Sequence, residues 1–339
     1  MTASPQGVPY NTGRVPTLAE LVARYDRPGP RYTSYPTADR FHDGVGASDH
    51  AAALARFGLT ERPLSLYVHV PFCPKKCTYC ACHVVATRSD RKRTGYVDHL
   101  LTELDIVTGH LGRRVQLGRV HLGGGTPNHL SEADLGRLLE GLHARFEALP
   151  SAEIAIEVDP RLTDAAEVTG LARVGFNRMS FGVQDFALEV QDLIGRRQSF
   201  EGTLEAVTAA RDGGVQSVNV DLVYGLPGQS LERLQRTLDR VFDLEPDRVA
   251  LFSFAYVPWA AANQRGIDPE RLPDAPTKLA LFVAARERFE QAGYLPVGLD
   301  HFAKPGDPLA VAAAERRLQR DFQGYSPRIA GPGHPDPRS

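Results

Sequence analysis

All four cysteines of the chain fall within ten residues, Cys73-Pro-Lys-Lys-Cys77-Thr-Tyr-Cys80-Ala-Cys82. A disulfide framework spreads its cysteines to close long loops; thiols packed this tightly read as metal chemistry in a reducing compartment. Spacings of four and three residues on a loop let Cys73, Cys77 and Cys80 converge on one cubic iron–sulfur cluster, because such clusters are held by soft thiolates. Three protein ligands leave one iron open to a small molecule. Structural zinc is the competing reading. It ordinarily takes two ligand pairs separated by a hairpin or helix, and the sequence holds no second pair, although His83 adjoins Cys82.

The chain has 339 residues, enough for one large α/β barrel or two ordinary domains. Hydrophobic residues at 42% and charged residues at 24% are a globular balance. A net charge of −2 offers no basic excess for displacing nucleic-acid counterions, so no nucleic-acid partner is expected. The apolar runs are strand-length, well short of the ~20 residues of a membrane span. Met1-Thr2-Ala3-Ser4-Pro5 lacks a basic region followed by an apolar stretch, which makes the cytoplasm the default location.

Residues 1–63 show no sustained strand pattern and carry the stiff segment Pro30-Arg31-Tyr32-Thr33-Ser34-Tyr35-Pro36. From Leu64 onward, short β-branched runs alternate with amphipathic patterns. The predicted strands are 64–71, 119–122, 153–158, 178–183, 217–224 and 248–254, with 295–299 as a seventh strand or a connection. Most are nearly continuous apolar runs, as for parallel strands buried on both faces. The predicted helices are 94–111, 131–146, 163–174, 200–211, 230–244 and 276–291, with Ser131 and Asp134 forming a capping box. Six strand–helix alternations require a parallel sheet with right-handed crossovers. Periodicity leaves a partial barrel and an open doubly wound sheet both possible. In either, functional groups belong where strands end. Cys73, Gly123-Gly124-Gly125, Glu157, Gln184, Asp221 and Ala255 fall there.

Gly123-Gly124-Gly125-Thr126-Pro127 lets backbone approach a ligand and adds a hydroxyl; by itself a tight turn explains it equally well. It is not a phosphate-binding Walker loop, because no Gly-Lys-Ser/Thr follows. Glu157 and Asp221 sit at the ends of apolar strands, where an unpaired carboxylate is costly; structural ion pairs are the alternative. With Gln184 and Arg196 they make one further constellation.

A Cys-x3-Cys-x2-Cys run just after the first strand of a β/α chain resembles the radical S-adenosylmethionine (SAM) superfamily. The resemblance implies a partial (β/α)6 barrel and a [4Fe–4S] cluster on Cys73, Cys77 and Cys80. The open iron would chelate SAM, and an electron would cleave it to methionine and a 5′-deoxyadenosyl radical. The runs Tyr67-Val-His-Val-Pro-Phe-Cys73, Ile156-Glu-Val-Asp-Pro160, Gly182-Val-Gln-Asp-Phe186 and Asn219-Val-Asp-Leu-Val-Tyr-Gly-Leu-Pro227 resemble the oxygen-independent coproporphyrinogen III oxidase (dehydrogenase) family. Cys80-Ala-Cys82, the 30–36 segment, Asp300-His-Phe-Ala303 and Phe322-Gln-Gly-Tyr325 point to the enzyme group rather than its haem-chaperone relatives.

That resemblance implies oxidative decarboxylation of two propionates of coproporphyrinogen III to vinyls, giving protoporphyrinogen IX in haem biosynthesis. It implies two SAM molecules for the two propionates and an electron donor such as flavodoxin or ferredoxin. Tyr67, Gly124 and Glu157 would hold the cluster-bound SAM. Gly125, Thr126, Gln184, Arg196, Asp221 and Ala255 match positions around a second SAM. Tyr79 takes an aromatic position, and Cys82 is not a ligand. The substrate is polyanionic, so Arg31 is a candidate carboxylate partner. A haem-binding chaperone and a radical SAM enzyme acting on another substrate stay open as alternatives.

The resemblance divides the chain into a substrate-side extension (1–63), the barrel (64–303), the start of a connection (304–325) and a Pro/Gly-rich tail (326–339). The family continues past Phe322-Gln-Gly-Tyr325 into a mostly helical domain. Here fourteen residues with four prolines and two glycines follow instead, too many breakers for a barrel strand or helix. A truncation or frameshift after Tyr325 is expected, with impaired turnover; a shortened homologue with a disordered tail is the alternative.

Overall fold

In a computed structural model the described residues are 34–329 together with Thr17, Glu20, Arg24 and Tyr25. Arg31, most of the 30–36 segment and the tail from residue 330 lie outside them.

Six parallel strands run in chain order, as the alternation requires. They are β1 (Leu64–Val70), β4 (Gln116–Gly124), β5 (Glu147–Val158), β6 (Arg178–Gln184), β7 (Ser217–Tyr224) and β8 (Arg248–Ser253). Between β1 and β4 a two-residue strand, β2 (Phe72–Cys73), pairs in parallel with β3 (Val85–Ala86). The crossover helices cover the outer face. They are α2 (Asp90–Leu111), α3 (Glu132–Arg145), α4 (Ala165–Val174), α6 (Phe200–Asp212), α7 (Leu231–Asp243) and α8 (Ala275–Gln291), with a short α5 (Leu188–Leu193) after β6. Leu135, Leu138, Leu139 and Leu142 of α3 are all buried, and so are Val120 and Leu122 of β4 and Ile156 of β5 in the same core. A second core joins α7 and α8 to β7 and β8 through Leu234, Leu238, Leu281 and Phe289.

Where the sequence reading and the structure differ, pairing and packing supply the reason. Residues 295–299 contribute an antiparallel edge, β9 (Leu295–Gly298), which joins the sheet only through antiparallel β10 (His301–Ala303) on β8. β5 starts six residues earlier than its apolar run, because the backbone of Glu147 and Ala148 pairs with Gln116 and Leu117 whatever the side chains. The extension contains a helix, α1 (Ala47–Gly58), packed on α2. Gly58 fits there because a Cβ would meet the Leu111 carbonyl oxygen at 2.0 Å. The cap of α3 is half a capping box: Ser131 Oγ accepts from Asp134 N–H. The Asp134 carboxylate accepts instead from the hydroxyls of Ser131 and Thr94 and from Arg137. Asp221 is not at a strand end. It sits mid-β7, paired with Gly182 and Ala250.

The sheet is open between β1 and β9. α9 (Pro308–Ala314) leads into a hairpin of β11 (Leu318–Asp321) and β12 (Gly324–Pro327), so regular structure reaches Pro327, two residues into the expected tail. The hairpin lies across the opening. Phe322 packs on Tyr67 of β1 with ring centroids 5.2 Å apart. Arg119 of β4 donates to the Pro327 carbonyl at 3.3 Å. The Tyr325 ring lies beside Gly298 of β9.

Candidate active site at the strand ends

The loop after β1 carries the cysteines and is tied at both ends. Thr87 N–H donates to the Cys73 carbonyl at 2.9 Å, extending the β2–β3 ladder. Thr78 N–H donates to Ile194 O at 3.1 Å and its hydroxyl to Leu193 O. From across the barrel, Asn263 Nδ2 lies 2.9 Å from Cys77 O, 3.0 Å from Thr78 O and 2.9 Å from Cys80 O. Gln264, wholly buried, donates to Tyr79 O and Ala255 O and accepts from Val257 N–H.

Cys77 is buried, Cys73 and Cys80 are half-buried, and Cys82 is exposed. Burial, with the charges of Cys80, Asp159 and Cys77, pushes the Cys73 thiol up to about 12. Hydrogen bonding from Cys82 instead holds Cys80 down at about 6. Two guanidinium groups reach Cys77 Sγ, Arg161 Nη2 at 3.6 Å and Arg196 Nη1 at 4.0 Å. Asp159 lies between them, bonded to Arg161 at 2.6 Å and to both Nη atoms of Arg196 at 3.0 and 3.1 Å. Burial opposes the charges of Asp159 and Arg196. Their mutual attraction, with Arg161 on Asp159, prevails, so Asp159 shifts down and Arg196 up.

The glycine turn is shaped by close approach. A Cβ on Gly123 would lie 2.6 Å from Glu157 Oε1, and one on Gly125 would lie 2.7 Å from the Pro71 backbone. Gly124 has φ +122°, accessible chiefly to glycine. Its N–H donates to Glu157 Oε2 at 3.2 Å. His121 Nε2 lies 3.1 Å from Glu157 Oε1. Burial resists the Glu157 charge, but these donors outweigh it and lower its pKa. Tyr67 Oη lies 3.0 Å from His69 Nδ1, and its ring stacks near His121. Gln184 closes β6 with φ +69°, a strained geometry for a non-glycine residue and one that concentrates at functional sites. Asp221 accepts from Ser180 Oγ at 3.0 Å and Asn219 Nδ2 at 2.7 Å. Burial and the nearby Glu157 charge raise its pKa to about 6.

Most of the expected residues therefore meet around one lumen. Tyr67, Gly124, Gly125, Glu157, Gln184, Arg196 and Asp221 face or border it together with the cysteine loop. Three stand apart. Thr126 is buried, with its hydroxyl on Asn128 Oδ1 at 2.6 Å, where it braces the turn. Tyr79 packs into an apolar cluster with Val190, Ile194 and Phe254. Ala255 is exposed just past β8. Sequence reasoning passed over Asp159, Arg161, His121, Asn263 and Gln264. Asp159 and Arg161 follow the Glu157 strand directly, and charge at a strand end was a usable signal. Asn263 and Gln264 sit in a short 3-10 turn with no pattern to flag them.

The residues suit a cluster with SAM beside it. Three soft thiols share one loop, Cys77 lies beside Arg161 and the buried Arg196, the glycine turn leaves backbone bare, and Arg196 Nε has no partner in the protein. Among the described residues no three His, Cys, Asp or Glu side chains close on a single point as a mononuclear metal requires. A cube asks for thiolates spaced around it instead.

The Radical SAM superfamily profile matches residues 67–241. The oxygen-independent coproporphyrinogen III oxidase of Pseudomonas aeruginosa is 44% identical over 310 residues, 91% of this chain and 67% of the relative. This chain belongs to that family. A Paracoccus denitrificans oxidase of the same name is 45% identical over 313 residues, 91% of this chain and 68% of the relative. The solved structure of the Escherichia coli coproporphyrinogen III oxidase, described as a radical SAM enzyme, superposes with a TM-score of 0.82. It is 43% identical, and the match covers 87% of this chain and 68% of that one. The chain thus spans about two thirds of the length of these oxidases. No helix among the described residues is long and apolar enough to cross a membrane.

Proposed function

We propose that the barrel carries out radical SAM decarboxylation of the propionates of coproporphyrinogen III to vinyl groups, giving protoporphyrinogen IX. The carrying observation is the cysteine loop itself: three thiols after β1, pinned by Asn263 and faced by Arg161 and Arg196, beside a glycine turn and Glu157. Cys73, Cys77 and Cys80 hold a [4Fe–4S] cluster in this reading, and Cys82 stays outside it. When bound, the cluster and SAM would supply a one-electron reduction and a carbon radical able to take a hydrogen from the propionate β-carbon; vinyl formation then releases carbon dioxide and one electron, which a one-electron acceptor takes.

The chain's own residues bind, orient and exclude water. Glu157, ionised and held by His121 and Gly124 N–H, offers a carboxylate to the amino group of SAM, and Gly124 and Tyr67 border the same space. Gln184, Arg196, Asp221 and Gly125 frame the remainder, where a second SAM would lie, with Thr126 bracing the glycine turn and Ala255 at the rim after β8. Arg196 presents Nε toward an anion while Asp159 fixes its Nη atoms. The Phe322 ring over Tyr67 helps close the open side of the barrel against water. A low-potential carrier such as flavodoxin or ferredoxin would supply electrons, in the cytoplasm.

The test is anaerobic reconstitution with iron and sulfide, then addition of reductant, SAM and coproporphyrinogen III. The expected result is a cluster spectrum, 5′-deoxyadenosine and a product lighter by two carbon dioxide molecules and four hydrogen atoms. A colourless, zinc-loaded protein would defeat the reading, and so would stoichiometric haem binding without decarboxylation.

A further inference from the structure

The segment 73–93 holds six cationic side chains (Lys75, Lys76, Arg88, Arg91, Lys92 and Arg93) against one carboxylate, Asp90, in a chain whose net charge is −2. The fold draws these residues into one region. β2 and β3 pair Cys73 with Ala86, so Lys75 and Arg88 leave neighbouring strands in the same direction. α2 then begins at Asp90 and carries Arg91 and Lys92 in its first turn. Lys75, Arg88, Arg91 and Lys92 are exposed, and so are Cys82 and both residues of β3.

Two features set this patch apart from an ordinary solvated face. Surface arginines elsewhere are commonly paired, as in Arg113 with Glu61, Arg145 with Asp105 and Arg288 with Asp239. Here Asp90 is taken by Arg93, and the four exposed cations make no ion pair among the described residues. The first turn of a helix also carries partial positive charge, so Arg91 and Lys92 sit where cations weaken a helix. An unpaired, mildly unfavourable cluster running from the loop that bears Cys73, Cys77 and Cys80 into the start of α2 calls for an external anion.

We propose that this basic collar is the docking surface for an acidic one-electron carrier protein. It rests on the cluster reading above: the reduced carrier gives up one electron and the oxidised cluster gains it, with no bond made or broken. Electrostatic complementarity suits such an encounter, since small, wet, charge-steered interfaces give fast association and release. The geometry also shortens the path. Lys76 of the same segment donates to the Cys82 carbonyl at 3.1 Å, and Cys82 N–H contacts Cys80 Sγ at 3.4 Å. The carboxylates of the porphyrinogen would instead be held by arginines shielded from water and converging from several elements.

The probe is an acidic flavodoxin, and the variant is Arg88→Glu/Arg91→Glu/Lys92→Glu in the full chain. Calorimetry at low ionic strength should show carrier affinity falling by at least about tenfold. The steep salt dependence of the parent should flatten. SAM cleavage driven by a photoreduced neutral deazaflavin should match the parent. Arg91→Gln/Lys92→Gln, which removes charge without reversing it, should give a smaller loss with an unchanged or raised melting temperature. Equal carrier affinity in parent and variant overturns the proposal. So does a raised KM for porphyrinogen under deazaflavin drive, which would assign the collar to substrate. If the parent cleaves no SAM with deazaflavin, the cluster reading fails, and the binding measurement still decides the surface.

Discussion

The side-chain amide of Asn263 lies 2.9 Å from the carbonyl of Cys77, joining a turn beyond β8 to the loop after β1 across 186 residues of chain. It also reaches the carbonyls of Thr78 and Cys80. A single amide thus gathers the backbone of the cysteine loop, and with Gln264 it fixes where the thiols stand. Asn263→Ala leaves those carbonyls without their donor, at a cost of about 1–3 kcal/mol. Reconstituted Asn263→Ala should lose iron to a chelator several-fold faster than the parent, measured by iron analysis and the visible cluster absorption. Equal retention would show that the loop holds itself.

Arg161 donates to Cys77 Sγ at 3.6 Å while bound to Asp159. A donor to a ligating sulfur favours the more negative, reduced cluster. A charge-assisted hydrogen bond is worth about 1.5–3 kcal/mol, so Arg161→Gln should lower the midpoint potential by at most about 60–130 mV. Spectroelectrochemical titration reads this directly. An unchanged potential with a normal spectrum would reduce Arg161 to a support for Asp159.

Asp221 has its folded pKa raised to about 6 by burial and by Glu157, against an ordinary value of 3.8. A raised carboxyl contributes stability below pH 3.8 that is lost as pH rises through 6. Above that, the ligand-free protein carries two carboxylates whose charges repel. Asp221→Asn should therefore gain on the order of 1–2 kcal/mol relative to the parent at pH 8 and much less at pH 5. Urea unfolding of the cluster-free protein at both values checks the sign. A pH-independent difference would contradict it.

At the opposite end of the lumen Glu153 accepts from Arg178 at 3.0 Å and lies 3.4 Å from Arg119 and 3.5 Å from Arg248. Burial works against its charge, but the three arginines outweigh it and hold its carboxyl at about 2. Its contribution is in place above the unfolded value of 4.5 and is lost as pH falls through about 2. Glu153→Gln strands buried guanidinium groups and should cost about 3–5 kcal/mol, read as a lowered urea midpoint near neutral pH. A loss below about 1 kcal/mol would mean that water already screens the cluster of charges.

The sequence by itself determined the parallel sheet, its six strands and the loop that carries the thiols. Those are local properties: apolar runs of strand length, helical periodicity between them, and cysteine spacing within ten residues. Gly123, Gly124 and Glu157 were legible for the same reason, since each lies at the end of its own strand. Only the tertiary structure decided what holds the site in place. Asn263 on the cysteine loop, Arg196 on Asp159 and the hairpin across the open side all join residues whose neighbours in sequence carry no trace of the contact. Hydrogen bonds and charge pairs act over a few ångströms in space, and chain separation leaves no period by which to find them.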